Sequence, residues 1–435
     1  MTIRRLGACA CLLVAVRANA QTRPDSTTTS YVVNGIQVIH RRAAANEIVS
    51  ANLYLLGGSR QITFANAGIE PFILSVSERG TEHYSREELR RMLAITGSKI
   101  VAEIERDWSM IGLRTTRAGF RQTWRGFADR VIAPRFDSAD VRTEREQMLA
   151  ALAQRRDSPD AWVAHLADSV AFTGHAYGVD PIGTERSVAS FNITQLRQYH
   201  REQFVKSRML LVVVGDIGRP VVDSLVATTF ATLPAGAYGW TLPDTIPRRP
   251  AGVYREARPV PTNYLMGYAP GPRADDPDYD ALRVGCAILS GRLFTEVRSR
   301  LTLTYAVNAP FAERAVSAVG LYVSTTDPVA ALAAMRNEVY ALQELRIDGR
   351  SLIPLVQQFI TEYFLGNETN AAQADFLARS QLYLGDWRKG REFSNALRAV
   401  TPSDVQRVMR RYFHDLNFAF IGDPARLPDS AIRGF

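Results

Sequence analysis

The chain has 435 residues, of which 46% are apolar and 22% charged, so it is too long for one ordinary core and typical of a globular protein with two or three domains. Its formal net charge is +8, but it contains only three lysines, and its arginines are scattered rather than gathered with aromatic residues. The charge therefore does not indicate a nucleic-acid-binding surface.

The first twenty residues have the features of a secretory signal peptide. A positive start, MTIRR, precedes the apolar stretch LGACACLLVAV and the small residues Ala18-Asn19-Ala20. The apolar stretch is too short to span a bilayer, and the alternative is an ordinary buried N-terminal helix. We predict that residues 1–20 are removed and that the mature chain is periplasmic, without stable membrane insertion.

The next elements along the chain are strands. Asn34-Gly35 lies between two apolar-polar alternations in YVVNGIQVIH, which is a strong signal for a β-hairpin. A further strand, EIVSANLYLLGG, follows. The stretch GIEPFILSVSERGT, residues 68–81, then places an apolar run at Phe72 to Val76 before a turn. We predict a short helix for this run.

Two later segments repeat one plan. Residues 194–216 and 403–423 each contain a polar N-cap, a helix, an aromatic near its end (Phe204 and Phe413), and an apolar strand stopped by Gly-Asp. The repeat predicts a duplicated domain.

A Gly- and Pro-rich stretch, residues 235–252, separates the two copies and is predicted to be a linker. We place the first domain at 28–240 and the second at 250–435. Helices alternating with hairpin-joined strands predict an α+β fold of two homologous domains, each a largely antiparallel sheet packed with helices.

One cysteine remains outside the predicted signal peptide. Cys286 lies in the apolar run VGCAIL and has no second thiol with which to form an internal disulfide. We predict that it is an inert core residue.

Several motifs together resemble the insulinase/pitrilysin family of zinc peptidases, and within it the bacterial processing-protease branch, which is related to mitochondrial processing peptidase. The motifs lie in the family's order along nearly the whole chain: GGSRQ, GIEPFILSVSERGT, TEREQMLAAL, GHAYGVDPIGT, TNYLMGYAPGPRADDPDYDAL and GRLFTEVRSRLTLTYAV. The resemblance implies a half-shell fold that encloses a peptide.

The resemblance also implies a zinc site that this sequence lacks. Active members carry His-x-x-Glu-His on the first helix and a further glutamate on a later one. Pro71 and Ser75 stand at the histidine positions, Leu74 at that of the general base, and Ala151 at that of the later glutamate. Pro, Leu and Ala offer no donor atom and a serine hydroxyl is a poor zinc ligand, so we expect no metal in this chain.

Other groups of candidate ligands are weak. His165, His175 and Asp168 form the nearest cluster, but a turn and a helix surface explain them more simply than a metal site. Glu70 and Glu78 flank the degenerate run, and a solvated helix end is the simpler interpretation.

The second half keeps a pair that the family uses. In the family, an Arg and a Tyr seven positions apart donate hydrogen bonds to the substrate carbonyl and to the oxyanion at the zinc site. Arg298 and Tyr305 have this spacing, with a predicted strand over Leu301–Tyr305. The alternative is a surface ion pair for Arg298 and a half-buried strand position for Tyr305.

Our leading hypothesis is a subunit that is not active alone and that pairs with a homologous, zinc-bearing peptidase subunit around a peptide. The alternative is a non-proteolytic peptide-binding or scaffold protein, with a sheet edge near Gly97–Ser109 that adds an extended peptide as a strand. An independent peptidase with an unrecognised site is the least favoured hypothesis.

Overall fold

The computed structural model describes residues 27–435, apart from the side chain of Ser351, and the predicted signal peptide lies outside this range. Two mixed sheets and the helices around them account for most of the described chain, which confirms the α+β prediction. Within residues 27–435, no helix is both long and apolar enough to cross a membrane.

The first sheet has the order β1-β2-β6-β3-β5-β4 within the described residues, and only β2 and β6 are parallel. Its strands are β1 (Thr28–Val33), β2 (Ile36–Arg42), β3 (Ile48–Leu56), β4 (Lys99–Ile104), β5 (Trp108–Thr116) and β6 (Met209–Gly215). The predicted hairpin at Asn34-Gly35 is confirmed, because Val33 pairs with Ile36 and both turn residues have positive φ.

The α-helices of the first half are spread between and after its strands. They are α1 (Ile69–Val76), α2 (Arg86–Thr96), α3 (Phe120–Ile132), α4 (Ser138–Asp157), α5 (Pro159–Ala171), α6 (Glu185–Ser190), α7 (Ile193–Gln203) and α8 (Arg219–Thr229).

The second sheet has the order β10-β11-β8-β12-β7 in the described chain, with β9 also paired to β11. Its strands are β7 (Gly252–Ala257), β8 (Asn263–Arg273), β9 (Thr304–Asn308), β10 (Phe311–Ala312), β11 (Val316–Thr325) and β12 (Asn417–Gly422). The helices of this half are α9 (Asp278–Leu293), α10 (Pro328–Glu344), α11 (Gly349–Gly366), α12 (Asn370–Leu384), α13 (Phe393–Ala399) and α14 (Pro402–Tyr412).

The predicted repeat appears as a shared topology. In each sheet the strand after the repeated helix, β6 or β12, runs parallel to one neighbour and antiparallel to the other. The helices α7 and α14 both begin with a capping box, and the aromatic after each, Phe204 or Phe413, is buried. The two halves are therefore built on one plan.

Each half also lends a helix to the other sheet, which the sequence did not predict. Helix α5 packs on β8 and β12, and α12 packs on β3 and β6. The predicted linker at 235–252 contains no helix or strand before its last residue, Gly252, where β7 begins, but it is fixed by contacts. Trp240 lies in the same apolar cluster as α12 and donates its indole N–H to the carbonyl of Leu382 at 2.8 Å.

Candidate functional site

The helix α1 at the degenerate motif is an ordinary packed helix. It begins after Gly68, whose φ of +89° and whose closeness to the Ile182 carbonyl, 2.8 Å from where a Cβ would lie, leave no room for a side chain. Pro71 lies in the first turn, where a missing N–H is tolerated. Phe72 is fully buried and contacts Phe191 edge to face at 5.6 Å. The prediction of a short apolar helix is confirmed.

The four positions that carry metal chemistry in the family have different environments here. Leu74 is 3% exposed and belongs to the same apolar cluster as Leu152 of α4, which packs against α1. Pro71 and Ser75 are half-buried, and Ala151 is exposed on α4.

These residues do not fit a zinc ion. Zinc in proteins is held by Cys, His or carboxylate donors. Within residues 27–435, no group of three His, Cys, Asp or Glu side chains is placed to hold a metal ion. The only side-chain donor at the four positions is the Ser75 hydroxyl, so these positions support no step through a metal.

The interpretation of Glu70 as a solvated helix end is wrong. Glu70 is 3% exposed, and its carboxylate accepts bonds from Ser109 at 2.6 Å, Tyr199 at 2.7 Å and Arg208 at 3.0 Å. Burial and then the Glu70 charge raise the pKa of Tyr199 well above its ordinary value, so the hydroxyl stays a donor. Burial would lower the pKa of Arg208, but Glu70 raises it. A satisfied ion pair therefore lies under α1.

Glu78, by contrast, is exposed, as predicted for a helix end. The neighbouring Arg79 is buried and donates to Glu144 of α4 at 2.9 Å and to Gln147 at 2.6 Å. Glu144 belongs to the Glu-Arg-Glu pattern that aligns α4 with the family. Here its carboxylate joins the two helices that would otherwise form the metal site.

Arg298 and Tyr305 contact each other, although the local backbone differs from the prediction. Helix α9 continues into a π-helical segment, Phe294–Arg300, and the strand begins only at Thr304 because Thr302 has a φ of +50°, which strands do not adopt. The predicted strand over Leu301–Tyr305 is therefore wrong in its first three residues.

Both alternative interpretations of the pair are also wrong. Tyr305 is 81% exposed rather than half-buried. Among the residues that the structure describes, no carboxylate pairs with Arg298, and the nearby Glu296 pairs with Arg300 instead. The guanidinium carbon of Arg298 lies 4.5 Å from the Tyr305 ring centre and 4.7 Å from that of Phe294.

This arrangement leaves the Arg298 guanidinium held by aromatic faces while its N–H groups are not taken by a carboxylate. Contact with a ring face stabilises a cation and restricts its motion. The contact with Phe294 was not predicted from the sequence. The spacing could have indicated it, because an aromatic residue four positions before an arginine on a helix lies on the same face.

The histidine cluster does not form a shared centre. The Nδ1 of His165 lies 2.8 Å from Asp180, which also accepts from Arg155, and the Nδ1 of His175 accepts from the backbone N–H of Tyr177. Asp168 is held by two arginines from the two halves of the chain. Each group has its own structural partner, as the simpler interpretation predicts.

Cys286 lies in the core of the second half, as predicted. It is 1% exposed, and burial raises the pKa of its thiol above the ordinary value. The thiolate is therefore disfavoured, and the side chain behaves as a small apolar residue.

Comparisons with known proteins extend across both halves. The profile of "Insulinase (Peptidase family M16)" matches residues 37–185, and that of "Peptidase M16 inactive domain" matches residues 190–350. An uncharacterized zinc protease of Bacillus subtilis, YmxG, is 22% identical, over 91% of this chain and 98% of that protein. Mitochondrial cytochrome b-c1 complex subunit 1 of Caenorhabditis elegans is 21% identical, over 94% of this chain and 90% of that protein.

A solved structure gives the same picture of the fold. The crystal structure of a peptidase M16 inactive domain from Pseudomonas fluorescens matches with a TM-score of 0.83 at 20% identity, over 91% of this chain and 98% of that one. Both sheets and the helices between them are thus covered by the similarity.

Proposed function

The chain belongs to the insulinase family of peptidases, M16, and we propose that it is a catalytically inactive subunit of a heteromeric zinc peptidase. A homologous partner would carry the zinc ion and the general base. This chain would complete the peptide chamber and donate Arg298 and Tyr305 to the partner's active site.

One observation carries the proposal: the donors for a metal are absent, while the pair that would serve a neighbouring site is present. Leu74 is packed into the core at the position of the base, so that position offers no group to activate water. Arg298 and Tyr305, in contrast, lie together, with the tyrosine side chain 81% exposed. A relative that is a subunit of a multi-chain complex, cytochrome b-c1, adds support.

The roles of the two side chains follow from their chemistry. Arg298 offers a fixed positive fork and Tyr305 a phenolic O–H, both suited to a carbonyl oxygen that gains negative charge during cleavage. A donor placed in this way is worth about 3 kcal/mol in the transition state.

We propose that this assembly works in the periplasm, and that the chain itself holds no zinc. The signal-peptide features of residues 1–20 support this location. The absence of zinc is supported by positions 71, 74, 75 and 151, none of which carries a histidine, cysteine or carboxylate.

The test is to purify the chain with its partners from the native cell envelope and to measure metal and peptide hydrolysis in what co-purifies. We expect a homologous chain with intact zinc ligands and about one zinc per pair. In the reconstituted pair, Tyr305→Phe should lower kcat roughly 100-fold without preventing assembly, because one oxyanion donor is lost. An unchanged kcat would remove Tyr305 from the mechanism.

A second candidate function, peptide binding without proteolysis, is favoured by one specific observation. Strand β4 is an edge of the first sheet and pairs only with β5 among the described strands, and several of its side chains are exposed. An edge of this kind can accept an extended peptide as an added strand. Retention of peptides by the chain alone, with no zinc-bearing partner in the envelope, would favour this function over the first.

A further inference from the structure

A large cavity lies in the second half of the chain, apart from Arg298 and Tyr305. It has a volume of about 1250 Å³, is partly open to solvent, and is bordered by α9, α11, α12 and the segment around α13. Sites for small molecules are concave, largely apolar and about 300–1000 Å³ in volume, so one small ligand would fill only part of it. Aromatic side chains line much of the wall, namely Tyr279, Phe311, Phe359, Tyr363, Phe376, Tyr383 and Phe393.

The lining carries an excess of negative charge. Seven carboxylates and three cationic side chains face the cavity. The acidic residues are Asp275, Asp276, Asp280, Glu313, Glu362, Asp375 and Glu392, and the basic ones are Arg283, Arg379 and Lys389.

The two arginines of the lining are already engaged. Arg283 donates to Glu313 at 2.8 Å and lies over three aromatic rings, and Arg379 donates to Asp375 at 2.8 Å. Lys389 donates to the carbonyl of Leu384 at 3.1 Å. Of the remaining lining carboxylates, Asp275 pairs with Arg273 at 2.7 Å, whereas Asp280 forms no ion pair within the described residues, although the charge of Arg283 acts on it.

Among the remaining carboxylates that accept no hydrogen bond from the described residues, Asp280 is the most buried. It lies in the first turn of α9, is half-buried, and accepts no hydrogen bond from any residue in the described part of the chain. Burial raises the pKa of Asp280, while the charge of Arg283 opposes that rise. A carboxylate in such surroundings is stabilised by a cation that enters from the cavity.

Three aromatic rings lie together in the wall, and the guanidinium of Arg283 lies against one of them, Phe393, so Tyr363 and Phe376 are the rings left for a ligand. Tyr363 lies 5.1 Å from Phe376 and 5.1 Å from Phe393, measured between ring centres. Ring faces attract a cation and also contact an apolar body. An anionic ligand would meet the excess of carboxylates in the lining instead.

We propose that this cavity binds a small organic cation, an amine with an apolar or aromatic body, whose ammonium group contacts Asp280 while its body packs against Phe376 and its neighbours. The site is independent of the proposed peptidase role, because it needs neither a partner subunit nor Arg298 and Tyr305.

The test uses the mature chain alone and three probes of the same shape in isothermal titration calorimetry: 4-phenylbutylamine, 4-phenylbutanol and 4-phenylbutyrate. We expect one amine per chain, with the alcohol and the carboxylate bound at least about ten-fold more weakly, because only the ammonium forms a charge-assisted bond. Asp280→Asn should weaken amine binding by about ten-fold, whereas Asp157→Asn, which removes an exposed carboxylate from the end of α4, should leave it unchanged.

A second variant fills the cavity without changing its charge. Ala287 lines the wall and is half-buried, so Ala287→Phe should abolish amine binding while circular dichroism shows a folded chain. If Asp280→Asn does not fold, Ala287→Phe alone tests whether the amine binds in this cavity. No binding of the amine, equal binding of amine and alcohol, or wild-type binding by the folded variants would each overturn the proposal.

Discussion

Leu74 and Ala151 occupy positions of catalytic and metal-binding groups in the family, but their surroundings differ. Leu74 is 3% exposed inside an apolar cluster, whereas Ala151 is exposed on α4. At the position of the general base, Leu74 is therefore part of the apolar core. At the position of the later zinc ligand, Ala151 is an ordinary surface residue. A single reversion at each position should therefore have unequal effects.

Leu74→Glu should lower the free energy of unfolding by roughly 3–5 kcal/mol, because it buries a carboxylate without a partner. Ala151→Glu should change it by no more than about 0.5 kcal/mol, since the new side chain remains in water. Urea denaturation of the two variants checks this, and equal effects would contradict the burial of Leu74.

The aromatic contacts of Arg298 are also open to a direct test. Phe294→Leu should move the NMR signal of the Arg298 Nε–Hε group downfield, because a ring 4.7 Å from the guanidinium carbon is removed. Phe294→Tyr should preserve the signal, and Arg300, which pairs with Glu296, serves as the internal reference. If the Arg298 Nε–Hε signal has the same chemical shift with Phe, Leu or Tyr at position 294, then Phe294 does not contact the Arg298 guanidinium.

At the scale of elements, α1 is held in place by polar contacts as well as by its apolar face. The Glu70–Arg208 pair joins the first turn of α1 to the start of β6, and Arg79 joins the turn after α1 to α4. Both pairs are buried and hydrogen-bonded, so removal of one partner leaves an uncompensated charge.

Glu70→Leu should therefore destabilise the chain by about 3–5 kcal/mol, as the Arg208 guanidinium loses its carboxylate. The double variant Glu70→Leu with Arg208→Met should recover most of this loss, because both charges leave the interior together. Thermal and urea unfolding of the single and double variants provide the measurement. A double variant that is less stable than the single one would contradict this account of the pair.

Sequence patterns predicted the helices α1, α7 and α14, but they did not predict the contacts between residues far apart in the chain. The apolar run at Phe72 to Val76 and the capped helices α7 and α14 follow from local residue order. Glu70 and Arg208 are 138 positions apart, so no local pattern links them. The strand at Tyr305 was predicted to begin three residues too early because alternating Leu and Thr look like a strand, whereas the backbone at Thr302 has a positive φ.

At the scale of the whole molecule, the two halves exchange helices and are joined by a buried ion pair and by buried hydrogen bonds. Asp168 of α5 accepts from Arg106 at 2.9 Å and from both terminal nitrogens of Arg314 at 2.8 and 2.9 Å. Asp107 accepts from Tyr177 and from Tyr383 of α12. The duplication was readable from the sequence, but the exchange of α5 and α12 was not, because which sheet a helix covers depends on contacts distant in the chain.

The ion pairs of Asp168 with Arg106 and Arg314 should make the free energy of unfolding fall as the pH is lowered. Burial alone would raise the pKa of Asp168, but Arg314 and Arg106 lower it below its ordinary value. A carboxyl with a lowered folded pKa stabilises the fold above its unfolded pKa, about 3.9, and this contribution is lost as the pH falls through the folded value.

Asp168→Asn should therefore reduce the free energy of unfolding by a constant amount at pH 6–8, and the difference from wild type should shrink as the pH falls below about 4. Urea denaturation across this pH range is the measurement. A difference that grows on acidification would contradict the lowered pKa.

The proposed role of this chain as an inactive subunit depends on the absence of metal chemistry in it, and the most direct test is the zinc content and peptide hydrolysis of the purified single protein. We expect no stoichiometric zinc after mild dialysis and no hydrolysis that a chelator inhibits. One tightly held zinc per chain together with chelator-sensitive cleavage would contradict it.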